Sequence, residues 1–184
     1  DAVADQTVSV STTDDDVAGF TVTETDGSTS VTEAGGTDTF TVVLNAQPDS
    51  DVVVAITSSD NGEASSNSPL TFTSSNWDTP QTVTVTGVDD FLIDGTIASD
   101  LVVAIVDASS DNNFDAVADQ TVSVSTTDDD AAGFTVTETG GSTSVTEAGG
   151  TDTFTVVLNA QPDSNVVLSI ASSDTGEATV TSTL

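Results

Sequence analysis

Not one lysine, arginine or histidine occurs in this chain of 184 residues, against 31 aspartates and glutamates, so the formal charge is −31. No carboxylate can be neutralised by another side chain of the same protein. Two like charges 4 Å apart repel by about 1 kcal/mol in water and about 4 kcal/mol at an effective dielectric of 20. Several such pairs would consume much of a typical folding stability of roughly 5–15 kcal/mol. A compact fold must either spread its acids over solvated faces or gather them around cations supplied from outside. The same charge excludes nucleic acid as a partner, because nothing is available to displace counterions from phosphates. It also argues against direct contact with an anionic membrane surface. No apolar run approaches the roughly 20 residues of a membrane-spanning helix, and no signal peptide is visible, so any export signal is expected outside this sequence.

High charge with few aromatics often marks disorder. Here 35% of residues are hydrophobic, mostly Val, Ile, Leu and Phe in alternating runs, which is the pattern of half-buried strands. Without His, Cys or Lys there is no common general base near neutral pH and no activated thiol or amine. Zinc sites of Cys and His are excluded. What remains is carboxylate chemistry and hard, oxygen-seeking metals. With no cysteine to form a disulfide, a metal ion is the available staple.

The chain repeats itself. Residues 1–70 match residues 115–184, from Asp1 against Asp115 to Leu70 against Leu184, at an offset of 114, with 59 of 70 positions identical. A period this long is a whole domain. With TTDDD as the end of a unit, residues 17–130 form one complete β-sandwich repeat. Residues 1–16 are then the last strand of a preceding repeat, and residues 131–184 the first half of a following one. Half-units alone would expose strand edges and part of a core.

Alternation and turn residues predict seven strands: Phe20–Thr25 with Ser30–Val31 (A), Thr37–Leu44 (B), Val52–Thr57 (C), Leu70–Thr73 (D), Gln81–Thr86 (E), Leu101–Val106 (F) and Gln120–Ser125 (G). Seven short strands without helical periodicity predict an all-β, immunoglobulin-like two-sheet sandwich, repeated end to end. The expected core is Phe20, Val22, Val31, Phe40, Val42, Leu44, Val52, Val54, Ile56, Phe72, Trp77, Val83, Val85, Val103 and Val124.

Alternate loops then fall at opposite ends. One end collects Glu33 (A–B), Asp60 and Glu63 (C–D), Asp89, Asp90 and Asp94 (E–F) and the tail Asp128–Asp130. A divalent cation there turns repulsion into attraction, and Ca2+, which takes six to eight oxygens from several loops, fits better than Mg2+. The candidate ligands are Glu33, Asp60, Asp89, Asp90, Asp94, Asp128, Asp129 and Asp130, with their repeat copies Asp14, Asp15, Asp16 and Glu147. The scattered acids Asp38, Asp78 and Asp100 read as solvated faces. The opposite end, with Asp49, Asp51, Asp78, Asp107, Asp111, Asp115 and Asp119, would abut the Asp14–Asp16 run of a preceding unit, where a calcium ion would stiffen the joint.

The order TEAGGTDTFTVVL, WDTPQTVTV, VDD and TVSVSTTDDD resembles Calx-β-type domains. These occur in the regulatory domains of sodium–calcium exchangers and, in tandem, in giant surface adhesins of marine bacteria. Extreme acidity and near-identical repeats resemble the adhesin extender repeats more closely. The resemblance implies calcium held by Glu33, Asp89, Asp90, Asp94 and Asp128–Asp130, with Asp60 in the C–D loop. That loop departs from the family pattern, and the E–F loop is thinned to FLIDG, which implies fewer sites than in the exchanger domains.

The leading functional expectation is a calcium-stabilised extender of a bacterial cell-surface adhesin, extracellular, partnered by neighbouring repeats of its own chain. The alternative is a subunit of a self-assembling extracellular filament or surface layer, in which identical chains complement one another by strand addition. A threonine-rich ligand-binding face is a weaker reading, since exposed Thr is ordinary strand composition. No enzyme is expected: a carboxylate pair such as Asp89 and Asp94 would be the only candidate for glycoside chemistry, without basic or aromatic groups to hold a sugar.

Overall fold

The computed structural model describes residues 1–180, so Leu184, the repeat partner of Leu70, lies outside the described residues. Among the described residues the regular structure is all-β, with single 3₁₀ turns as the only helical segments. Residues 20–127 build a two-layer sandwich of strands β1 (Phe20–Glu24), β2 (Thr29–Thr32), β3 (Thr37–Leu44), β4 (Val52–Ser58), β5 (Ala64–Ser66), β6 (Leu70–Phe72), β7 (Gln81–Gly87), β8 (Ile97–Ile105) and β9 (Gln120–Thr127). One sheet runs β1-β3-β7-β5 and the other β2-β9-β8-β4-β6. Every pairing is antiparallel except that of β2 with β9, where Thr29 faces Val124 and Thr32 faces Thr127 in parallel.

Nine strands stand where alternation predicts seven, for two local reasons. The two pieces expected of strand A, counted as one strand, are separated by a 3₁₀ turn at Thr25–Gly27, where Asp26 takes a left-handed backbone (φ 56°). The turn sends β1 to one sheet and β2 to the other. The second reason is β5, whose sequence Ala-Ser-Ser carries a single apolar residue, so it shows no alternation.

The inward positions of each strand fill the space between the sheets. Phe40, Val42 and Leu44 of β3, Val52, Val54 and Ile56 of β4, Val83 and Val85 of β7 and Leu101 and Val103 of β8 are all buried. Burying one such side chain stabilises by about 1.5–3 kcal/mol. Leu70, Leu101, Phe114 and Val122 join the core beyond the sequence expectation. Trp77, expected inside it, instead packs half-buried on its flank, and its carbonyl accepts the Leu44 amide at 3.1 Å. Phe114 enters from the β8–β9 connection, where a 3₁₀ turn over Asn112–Phe114 turns the lone aromatic of a polar stretch inward.

That same connection is fastened by Asp111. Its carboxylate is buried and accepts the amides of Asp49 (2.6 Å), Ser50 (3.1 Å) and Asn113 (2.9 Å). These bonds hold its pKa below the ordinary aspartate value. Two acids expected to be merely solvated are also bonded. Asp38 accepts the amides of Ser30 and Thr39, and Asp100 accepts the Ser123 hydroxyl.

Outside the sandwich, residues 1–17 are exposed and carry no regular secondary structure. After Asp130 the chain forms β10 (Phe134–Glu138) and β11 (Phe154–Leu158). They pair in the register of β1 and β3, Phe134 opposite Leu158 as Phe20 is opposite Leu44. The setting differs although the sequence does not: Phe134 is 54% exposed, its counterpart Phe20 4%. The residues that bury Phe20 come from strands that β10 and β11 do not have beside them. The Gln161 amide reaches back to the Phe91 carbonyl of the β7–β8 loop at 2.6 Å.

Candidate metal centre

Five acids meet at the end of the sandwich where β2, β7 and β9 finish. Glu33 follows β2 directly, and its amide continues the parallel ladder by donating to Thr127 O at 3.1 Å. Glu63 immediately precedes β5; its carbonyl accepts the Val88 amide at 2.9 Å, so the start of β5 and the end of β7 are tied together there. Gly87 allows the closure. A Cβ at that position would sit 2.0 Å from the Thr32 carbonyl oxygen, so only glycine lets β7 pass close enough to bring its following loop over Glu33. The loop returns through Gly95, at φ 79°, whose amide donates to Asp128 Oδ2 at 2.9 Å.

The result is two overlapping triads, Glu33–Glu63–Asp94 and Glu33–Asp128–Asp130, each with one carboxylate oxygen per residue within 4.8 Å of the others. Glu33 is 1% exposed and Glu63 7%. Glu33 Oε2, Glu63 Oε2 and Asp130 Oδ2 are buried and have no hydrogen-bond partner. An unpaired buried polar group costs about 1–3 kcal/mol, and more when charged. Burial, reinforced by the charge of Glu63 and then Asp94, pushes the Glu33 carboxyl up to about 7. Burial likewise raises Glu63, with Asp94 and Asp60 next in effect. Asp130 is raised by burial and then by Asp128 and Asp129. Asp128 goes the other way, because the amides of Gly95 and Asp130 hydrogen-bond its charged form.

Of the acids singled out from sequence, Glu33, Asp94, Asp128 and Asp130 come together in these triads. Asp90 is half-buried beside them, and its Oδ1 accepts the Leu92 amide at 2.6 Å. Asp89 and Asp129 are exposed, and their charges act on Asp130. Asp60 acts on Glu63 through its charge, while its Oδ1 accepts the Gly62 amide at 3.0 Å. Glu63 is the residue that sequence placed at this end without naming it a ligand. It lies immediately before β5, the strand that alternation could not reveal, and it is buried next to buried Ala64, so a period of two gives no signal for it. Asp14–Asp16 lie in the exposed leading segment, where the Asp16 amide donates to Asp14 Oδ1 at 3.1 Å. Glu147, the copy of Glu33, lines a groove of about 650 Å³ with Asp152 and Glu177, the last being the copy of Glu63.

The donor set fits a hard divalent cation. All donors are carboxylate oxygens, two of the acids are buried, and three of the acids carry a buried oxygen without a hydrogen-bond partner. No basic side chain exists in the chain to fill that role.

Among solved structures the chain is similar to an apo-form Calx CBD1 domain at 15% identity and a TM-score of 0.42, over 60% of this chain and 98% of that one. It is similar to CBD12 from CALX1.2 at 17% identity and a TM-score of 0.42, over 64% of this chain and 47% of that one. It is also similar to the E. coli chaperone DraB at 9% identity and a TM-score of 0.44, over 64% of this chain and 59% of that one. No protein-family model and no curated protein matches the sequence.

Proposed function

We propose that this chain is a calcium-binding β-sandwich repeat that serves as a passive extracellular spacer, an extender of a bacterial surface adhesin, and not as an enzyme. The observation that carries the reading is the pair of buried glutamates, Glu33 and Glu63, each with an unpartnered buried oxygen, which share one triad with Asp94 while Glu33 forms a second with Asp128 and Asp130. Such a site is unfavourable when empty and favourable when it holds a divalent cation. Calcium suits it because the donors come from four separate segments, and calcium tolerates irregular geometry where magnesium demands a near-ideal octahedron. Glu33 and Glu63 would supply the buried donors, Asp94 the lid, and Asp128 and Asp130 the closing edge. An affinity on the order of 10⁻⁴–10⁻³ M would suffice in a calcium-rich exterior. The spacer role is supported by the 114-residue repeat, which multiplies length without adding a new site. Neighbouring repeats are the natural partners.

Thermal unfolding of the chain in EDTA, in millimolar calcium and in millimolar magnesium tests the metal. A calcium-specific rise in Tm is expected. Equal Tm in all three would overturn the reading.

A further inference from the structure

The turn that leads into Glu63 reads SSDNGEA at residues 58–64 and SSDTGEA in its copy at residues 172–178. The two turns are built alike. The Gly62 amide donates to Asp60 Oδ1 at 3.0 Å, and the Asp60 carbonyl accepts the amides of Glu63 (3.3 Å) and Ala64 (3.2 Å). In the copy the Gly176 amide donates to Asp174 Oδ1 at 3.0 Å, and the Asp174 carbonyl accepts the amides of Glu177 (3.3 Å) and Ala178 (3.1 Å). One backbone arrangement thus carries asparagine at position 61 and threonine at position 175, and the difference between them is chemical. Asn61–Gly62 is the single Asn–Gly step in the sequence.

Asparagine is a thermolabile residue. Its side-chain Cγ is an electrophile, and the main-chain nitrogen of the next residue is placed to close a five-membered ring on it. A bulky following side chain and a rigid backbone ordinarily prevent the closure. Neither protects Asn61. Gly62 has no side chain and the widest backbone range of any residue. Both residues are exposed. The Gly62 amide belongs to no strand ladder; its hydrogen rests on the Asp60 carboxylate, which polarises the N–H bond and is in place to take the proton. The turn runs into β5, which is three residues long and lies at the edge of its sheet. Such a segment opens locally at low free-energy cost, which frees the turn to reach the geometry of attack.

We propose that Asn61 is a self-modification site, converted to aspartate and isoaspartate through Gly62. The Gly62 nitrogen loses its proton and bonds to Asn61 Cγ, the bond from Cγ to the side-chain nitrogen breaks, and ammonia leaves with the proton. Water then opens the resulting succinimide at either carbonyl. Opening at one carbonyl leaves aspartate at position 61; opening at the other leaves isoaspartate, with an extra methylene in the main chain. That methylene lies inside the turn whose Asp60 carbonyl holds Glu63 and Ala64, so isoaspartate shifts Glu63 away from Glu33 and Asp94. This consequence, though not the modification, rests on the calcium reading above. Thr175 spares the second copy from the same reaction.

The test is to age the intact chain for weeks in warm, mildly alkaline buffer and to map it by mass spectrometry after cleavage at glutamate. The peptide of residues 34–63 is expected to gain the mass of an amide-to-acid conversion at Asn61, with isoaspartate in its fragments, while the other asparagines keep their amides. The Asn61→Thr chain, which carries the residue of the second copy in the same turn, is expected to gain nothing there. The aged native chain should lose most of its calcium-dependent rise in Tm, and the aged Asn61→Thr chain should keep it. An unchanged Asn61, or conversion no faster than at the other asparagines, overturns the proposal. Full conversion to isoaspartate with the calcium rise intact overturns the consequence for the site alone. A fresh chain with no calcium rise overturns the calcium reading and leaves the modification to be judged by mass.

Discussion

Replacing Glu33 by Gln keeps the side chain's size and removes its charge, and its effect on stability changes sign with calcium. In EDTA the folded state holds a glutamate whose pKa has risen from 4.5 to about 7. Each pH unit of such displacement is worth about 1.36 kcal/mol, so the ionised form costs at most about 3.4 kcal/mol. Exposed Asp94 opens the cluster to water, and screening brings this to about 1.5–3 kcal/mol. The folded protein binds the extra proton, so stability is fully present below about pH 4.5 and is lost as pH rises through about 7. The Tm of the native chain in EDTA should therefore fall by about 5–10 °C between about pH 5 and about pH 8, at about 3–5 °C per kcal/mol for a unit of this size. Glu63, raised for the same reason, adds to the slope in the same direction. In saturating calcium the slope reverses, because the metal competes with protons for the same oxygens. Glu33→Gln should raise Tm in EDTA at pH 8, flatten the pH profile, and lose most of the calcium increment. Differential scanning calorimetry over that pH range, with and without calcium, measures all three. A Tm in EDTA that is flat or rises from pH 5 to pH 8 would refute the reasoning, as would a Gln variant with the native slope.

Two further outcomes follow from single residues. Gly87→Ala puts a methyl 2.0 Å from the Thr32 carbonyl oxygen; the backbone must part there, which should cost about 2–4 kcal/mol in urea unfolding and weaken the calcium response, and a loss under about 0.5 kcal/mol would contradict it. Asp111→Ala removes the acceptor for three amides at the other end of the sandwich. The urea midpoint should drop with no change of m-value and no change in the calcium increment. Because its folded pKa is lowered, the contribution of Asp111 is present above the ordinary aspartate pKa and disappears as pH falls through the folded value, so the native chain should lose its advantage over this variant in acid.

Strands with clean alternation were legible from sequence alone. TDTFTVVL places Phe40, Val42 and Leu44 inside with its ends at the residues expected, because the period of two leaves one register that buries the apolar set. Where alternation is weak, the structure extends or divides what was expected. Strand β8 begins at Ile97, earlier than expected, because its first residues include Ser99 and Asp100. The gap between the two pieces of strand A was expected, but not that they join opposite sheets, which depends on the left-handed backbone at Asp26 and Gly27. The acidic end was legible in outline, since loops at alternate connections must share an end. Its ligand geometry was not: Glu63 instead of Asp60 faces Glu33 because β5 pairs with β7, a long-range contact with no local signature. Phe114 was hidden for a similar reason, being a lone aromatic among Asn and Asp.

The parallel pairing of β2 with β9 bears on how the sandwich would resist tension in the proposed spacer role. A pull along the chain draws β1 and β2 toward the start of the sandwich and β9 toward its end. Because β2 and β9 run the same way, the load falls on their rungs together, in shear, whereas an antiparallel hairpin pulled at its open end would yield one rung at a time. Glu33 and Asp128 sit at the far end of that same pair. A cation held between them, as proposed above, would act as a rivet on that pair, and the load the module bears before yielding would then track the calcium around it.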